Sequence, residues 1–229
     1  MPLLPRRFEK LKSVLNRRMP DLTIVIENVE KPHNLSAILR TCDAVGILKA
    51  HSISSEKKIK TFNSTAQGSQ KWVSLETHNN INTAVDSLKS MGFELYGTNL
   101  GVNAIDYRLC DYTRPTAFVL GAEKWGLSES ATSIMDKSIF IPMRGMVQSL
   151  NVAVAAATLL FDALRQRELS GVTPSHGEGL SKEVYAKTLF EWSYPEVAAW
   201  CKEECRSYPE VDSNGQILEK LPRDIKLPH

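Results

Sequence analysis

Apolar positions along this chain recur with two different periods, and the two alternate. Short runs rich in β-branched and aromatic residues at Leu22–Asn28, Leu48–Ile53, Trp72–Glu76, Phe93–Thr98, Thr116–Leu120 and Ser138–Ile141 predict strands. Between them, apolar residues at helical spacing predict helices near Leu35–Val45, Asn80–Met91, Leu127–Asp136 and Asn151–Glu168. Strands separated by helices of this length require parallel crossovers, hence an α/β sheet with helices on both faces. The stretch from Phe140 to Asp162 is the most specific part of the pattern. An apolar strand end, Ile139-Phe140-Ile141-Pro142, runs into a Met- and Gly-containing loop, then into the capping oxygens of Ser149 and Asn151 and an Ala-rich helix. Met143 to Gln148 must therefore form a loop at the carboxyl end of a parallel strand, where open α/β sheets bind small molecules. An ordinary strand-loop-helix connection would read the same way.

Three segments are expected: a basic helical extension over 1–20, a core over 21–169, and a linker with helices over 170–229. The linker, Ser170 to Gly179, is rich in Ser, Gly, Thr, Pro and His, and two short helices follow at Leu180–Trp192 and Pro195–Cys205. In the first segment Phe8, Leu11 and Leu15 lie at helical spacing, which leaves the charged residues on the outer faces.

Charge changes the picture only locally. The net charge is +2, but residues 1–20 hold six bases against the single acid Glu9, so the arm is at +5 and the remainder at −3. A basic amphipathic helix can offer its arginines to phosphates; it can equally be a solvated helix that only packs. No apolar run reaches the length of a membrane span, and the start lacks the apolar core of a signal peptide. Cys42, Cys110, Cys201 and Cys205 show no disulfide framework, so a cytoplasmic setting with reduced thiols is expected. The Cys201/Cys205 spacing lacks a second ligand pair, and no metal is expected.

The turn after the first strand, Glu27 to Asn34, contains no glycine, and no phosphate-loop pattern occurs anywhere. This argues against a nicotinamide-dependent dehydrogenase, the rival enzyme class. Glycines cluster late instead, at Gly121-Ala122-Glu123-Lys124-Trp125-Gly126 and at Gly145, which shifts small-molecule binding to the second half of the sheet.

Three motifs stand in order: Asn34-Leu35-Ser36-Ala37-Ile38-Leu39-Arg40-Thr41-Cys42, then Leu120 to Ser128, then Ile141-Pro142-Met143 through Ser149-Leu150-Asn151-Val152-Ala153. In this order and spacing the chain resembles the SPOUT superfamily, specifically the SpoU-type RNA ribose 2′-O-methyltransferases of the TrmH kind, over essentially its whole length. The resemblance implies a mostly parallel sheet of about six strands flanked by helices, a C-terminal deep trefoil knot, and helical extensions at both ends. It implies S-adenosylmethionine as methyl donor, tRNA as partner, a homodimer formed through the knot helices, and no membrane. The expected reaction is methylation of a ribose 2′-hydroxyl in tRNA, at guanosine 18. Ribosomal RNA, another tRNA position, or a non-catalytic RNA-binding role on the same scaffold are the alternatives.

By the same resemblance Asn34, Arg40, Glu123, Ser149 and Asn151 form the catalytic set, and Thr98, Gly121, Ile141, Met143 and Leu150 line the donor pocket. Each has a structural alternative. Asn34, Ser149 and Asn151 are capping types, Arg40 can pair with Asp43, and Glu123 suits a helix N-terminus. A guanidinium keeps its proton in water, so Arg40 is better suited to stabilising a developing alkoxide than to acting as base; His33 is the conventional base type nearby. For RNA, the expected contacts are Arg6, Arg7, Arg17, Arg18, Lys31, Lys71, Arg165 and Arg167, with Trp125 either stacking on a base or packed in its loop.

Overall fold

Strand β1 (Leu22–Glu27) is buried at all six positions, which is what a central strand covered on both faces requires. It pairs in parallel with β2 (Lys49–Ile53) on one side and β6 (Thr116–Leu120) on the other. β3 (Ser74–His78), β4 (Glu94–Thr98), β5 (Ile105–Asp106) and β7 (Lys137–Phe140) complete a seven-stranded sheet of order β3-β2-β1-β6-β4-β7-β5, in which all six pairings are parallel. The computed structural model describes residues 3–29, 31–53, 71–122, 125–174, 177 and 179–221. The sheet has one strand more than the sequence pattern predicts. β5 is two residues long at the sheet edge, too short to show a period.

Side chains alternate across the sheet and build two cores. Leu22, Ile24, Ile26, Phe118 and Leu120 face one way, against α2 (Pro32–Val45) and α5 (Val152–Ser170). Val25, Leu95, Ala117 and Val119 face the other, against α3 (Ile81–Ser90) and α4 (Glu129–Ile134). Capping side chains set the helix starts: Asn80 accepts from Thr83 N at 2.9 Å, Ser128 from Ala131 N at 3.1 Å, and Asn151 from Ala153 N at 2.9 Å. α2 is the exception. It opens with Pro32 at its first position, where the missing N–H costs nothing, so Asn34 lies inside the first turn and is not its cap.

The chain divides into two compact units. One is this sheet with its helices, over Met19–Thr173; the other joins the first 18 residues to those from Pro174 onward. In the second unit α1 (Pro5–Leu15), α6 (Lys182–Ser193) and α7 (Pro195–Glu203) surround a core of Leu3, Phe8, Phe190, Tyr194, Val197, Ala198 and Cys201. Tyr185 Oη donates to Asn16 Oδ1 at 2.7 Å, and Gln216 Nε2 donates to Leu3 O at 2.6 Å. The basic arm and the C-terminal segment are therefore parts of one body. Among the described residues no helix is long and apolar enough to cross a membrane.

Two of the arginines expected at RNA are structural. Arg167 on α5 is fully buried: its Nε donates to Tyr112 O (2.9 Å), Nη1 to Asp21 Oδ1 (2.7 Å), and Nη2 to Arg114 O (2.7 Å) and Asp21 O (3.2 Å). A guanidinium spent on three carbonyls and a carboxylate cannot reach a phosphate. Arg167→Ala removes all four bonds, the one to the buried Tyr112 carbonyl among them, and the expected loss is about 3 kcal/mol, read as a lowered urea midpoint. Arg18, 1 % exposed, stacks on Trp192 with its guanidinium carbon 5.1 Å from the ring centroid. In the sequence both look like surface charges, because long basic side chains are usually solvated.

Candidate active site

At the carboxyl ends of β4, β6 and β7, three loops enclose a cavity of about 420 Å³, within the ordinary range for small-molecule sites. β4 contributes Thr98 and Asn99; β6 leads into Gly121, Ala122, Trp125, Gly126 and Leu127; β7 leads into Ile141, Met143, Gln148, Ser149 and Leu150. The start of α5 closes the wall with Val152 and Ala155. All five residues expected to line a donor pocket are on this cavity. Asn99, Gln148 and Leu127 line it too and were not singled out from the sequence, although each sits at a strand end or inside a motif.

The β6 loop owes its shape to two glycines. Gly126 holds φ at 66°, and its N–H donates back to Ala122 O at 2.8 Å, closing the loop on itself. Gly121 lies where the returning limb crosses: a Cβ there would overlap the Gly126 carbonyl and the Leu127 nitrogen. The returning limb then ties to the sheet, because Ser128 donates through its N–H (2.9 Å) and its Oγ (2.7 Å) to the two carboxylate oxygens of Glu27. Trp125, 79 % exposed, stands on the cavity rim.

The cavity suits a nucleoside with a polar tail. Leu120, Ile141 and Leu150 supply apolar wall, Thr98, Asn99, Gln148 and Ser149 supply hydroxyl and amide groups, and main chain is bare at Gly121. S-adenosylmethionine, with an aromatic base, a ribose and a charged amino-acid end, calls for that combination of surfaces.

Of the expected catalytic residues, Asn34 and Asn151 come together across 117 positions of sequence: Asn151 Nδ2 donates to Asn34 Oδ1 at 3.2 Å, while Asn151 Oδ1 caps α5. The first and third motifs thus meet where α2 packs on α5. Ser149 lies on the cavity. Arg40 lies on the exposed side of α2 and does not line the cavity. Glu123 lies outside the described residues.

Of the remaining cations, Arg6, Arg7, Arg17, Lys31, Lys71 and Arg165 are exposed. Arg165 is bound to Asp162 at 2.8 Å, which offsets part of its charge. A separate polar cluster sits between β2 and β3. His51 Nδ1 and His78 Nε2 are 3.0 Å apart, and Glu76 Oε1 is 3.8 Å from His78 Nε2. These atoms lie within 4.8 Å of one another, a spacing that could hold a metal ion. Glu76 is already held by Lys49 at 2.8 Å, however, and burial pushes His51 down to about 4, which favours its neutral ring in the hydrogen bond with His78. An ammonium beside the one carboxylate opposes a second cation.

Comparison with known proteins agrees with this geometry. The model of the SpoU rRNA Methylase family matches residues 21–161, and that of the SpoU rRNA methylase C-terminal region matches 165–220. A tRNA (guanosine(18)-2'-O)-methyltransferase of Thermus thermophilus is 53 % identical over 186 residues, spanning 81 % of this chain and 95 % of the relative. The crystal structure of the A. aeolicus TrmH/SpoU tRNA modifying enzyme superposes with a TM-score of 0.74 at 43 % identity, covering 82 % of this chain and 94 % of that one. The SpoU methyltransferase AviRb of Streptomyces viridochromogenes, in complex with the cofactor AdoMet, superposes with a TM-score of 0.57 at 26 % identity, covering 66 % and 62 %.

Proposed function

The chain belongs to the SpoU methylase family, and from that premise we propose that it transfers the methyl group of S-adenosylmethionine to the ribose 2′-hydroxyl of guanosine 18 in tRNA. The observation that carries this reading is the cavity in which the second and third motifs meet the end of β4. The likeness to a guanosine-18 enzyme over 95 % of its length supports the choice of nucleotide. Bound there, S-adenosylmethionine would supply an electrophilic methyl carbon, its S–C bond breaking to leave the neutral thioether as the bond to the 2′-oxygen formed, with the hydroxyl proton released to solvent or to a base such as His33. Thr98, Gly121, Ile141, Met143 and Leu150 hold the donor so that oxygen, carbon and sulfur can align, which lowers the barrier by positioning. Arg40, oriented on a helix whose first turn is pinned by the Asn34–Asn151 bond, meets the ribose and its phosphate and offsets charge developing on oxygen. Glu123 and Ser149 complete the set.

The proposal includes a homodimer and the trefoil threading of the third motif, in a cytoplasmic protein. Val154 and Phe161, each 50 % exposed, are seven residues apart on α5 and share one face, an apolar stripe that suits a second copy. The threading is supported by the 141–150 loop sharing one cavity with the loops after β4 and β6.

The test is incubation with labelled donor and unmodified tRNA, followed by mapping of the product. The label is expected on the ribose of guanosine 18; methylation of ribosomal RNA alone, or of another tRNA position, would overturn the assignment.

The RNA contacts fall on Arg6, Arg7, Arg17, Lys31, Lys71 and Arg165, with Trp125 placed to stack on a base. Removing residues 1–18 would also remove Leu3 and Phe8 from the core of their unit, so charge substitution is the cleaner experiment. Replacing Arg6, Arg7 and Arg17 by alanine is expected to weaken tRNA binding and to flatten log Kd against log salt by about 2 to 3. An unchanged slope would place the RNA elsewhere.

A further inference from the structure

We infer that Glu27 is a positioning residue for the methyl-donor pocket, holding the β6 loop in the shape that the donor requires. The inference rests on the reading of the cavity as the donor site. Glu27 is the last residue of β1 and is 4 % exposed. A carboxylate so buried has to be met by donors, and Ser128 supplies one to each oxygen. β1 and β6 are neighbours, with Ile26 opposite Leu120, so Glu27 stands beside the point where the chain leaves the sheet to form the cavity wall. The outgoing limb is fixed by the sheet. The returning limb is fixed at Ser128, whose hydroxyl donates a hydrogen bond to Glu27 while accepting one from Ala131 N at the start of α4. One carboxylate therefore ties three things together: β1, the loop bearing Gly121 and Gly126, and the cap of the next helix. Glu27 does not line the cavity, and its effect passes through the loop.

Glu27→Gln tests this because it keeps the volume but turns one acceptor into a donor facing Ser128. At least one charge-assisted hydrogen bond is lost, so the Kd for S-adenosylmethionine by calorimetry is expected to rise about ten- to a hundredfold. The donor KM should rise with it, while kcat and tRNA affinity change little. Ser128→Ala removes only the hydroxyl bond and should weaken donor binding less. The double variant should bind no worse than Glu27→Gln, because the two residues act as one unit. Hydrogen exchange at the Gly126 and Ser128 amides, measured without donor, should quicken in Glu27→Gln. Wild-type protein that does not bind the donor would overturn the reading of the cavity, and the exchange result would still judge Glu27. Donor affinity within about twofold of wild type, or unchanged exchange, would overturn the positioning role. Should Glu27→Gln fail to fold, the same two measurements on Ser128→Ala decide.

Discussion

Arg40→Ala is expected to lower single-turnover methylation of tRNA by about a thousandfold, while calorimetry finds donor affinity within about twofold of wild type. The two halves of this result have separate reasons. Arg40 is exposed on α2, six positions after Asn34, and lines no part of the cavity, so removing it leaves the donor's walls intact. What disappears is a fixed cation aimed at charge that exists only while the 2′-oxygen attacks; losing one such transition-state group typically costs about 10² to 10³ in rate. Arg40→Lys should recover only part of the rate, since an ammonium lacks the planar fork that grips a phosphate. Turnover close to normal in Arg40→Ala would remove this residue from the mechanism.

The second large effect is expected on the other side of the reaction. Gly121→Ala places a methyl group against the Gly126 carbonyl and the Leu127 nitrogen, both main-chain atoms that cannot rotate aside. Relief requires opening the Ala122–Gly126 bridge, and that bridge shapes the wall of the cavity. Overpacking of this kind costs about 1 to 3 kcal/mol. If the loop opens to relieve it, closing it again around the donor costs the same amount, and donor affinity falls by up to about a hundredfold. A thermal scan without donor should show Tm lowered by about 5 °C. Gly145→Ala is the matched control, because a Cβ at that position meets nothing within 4 Å, and its stability should stay within about 0.5 kcal/mol of wild type. Donor binding by Gly121→Ala as tight as wild type would mean that the β6 loop is not part of the donor site.

Much of the fold was legible because the sheet is parallel and buried. Leu22–Ile26 is apolar but for Thr23, Ala117–Leu120 is apolar throughout, and α2 and α3 each bury one apolar face. Where the structure departs from the sequence pattern, a local rule is outweighed. α2 starts before Asn34 because a proline at the first helical position needs no cap partner, and Asn34 spends its side-chain oxygen on Asn151 instead. β5 escaped because two residues have no periodicity. Arg18 and Arg167 resemble surface cations in the sequence because composition cannot reveal a ring or a set of carbonyls brought from elsewhere in the chain.

The candidate site divides the same way. The order of strands and helices, the three motifs, and the five residues around the cavity follow from the sequence, since each depends on neighbours along the chain or on a resemblance carried by contiguous residues. The pairing of Asn34 with Asn151, the bond from Glu27 to Ser128 across 101 positions, and the joining of the two termini into one unit were decided only by the tertiary structure. The physical reason is that periodicity and capping are read over a few residues. Which buried polar group meets which partner depends on where the crossovers return the chain, and the sheet order β3-β2-β1-β6-β4-β7-β5 is written in no single segment.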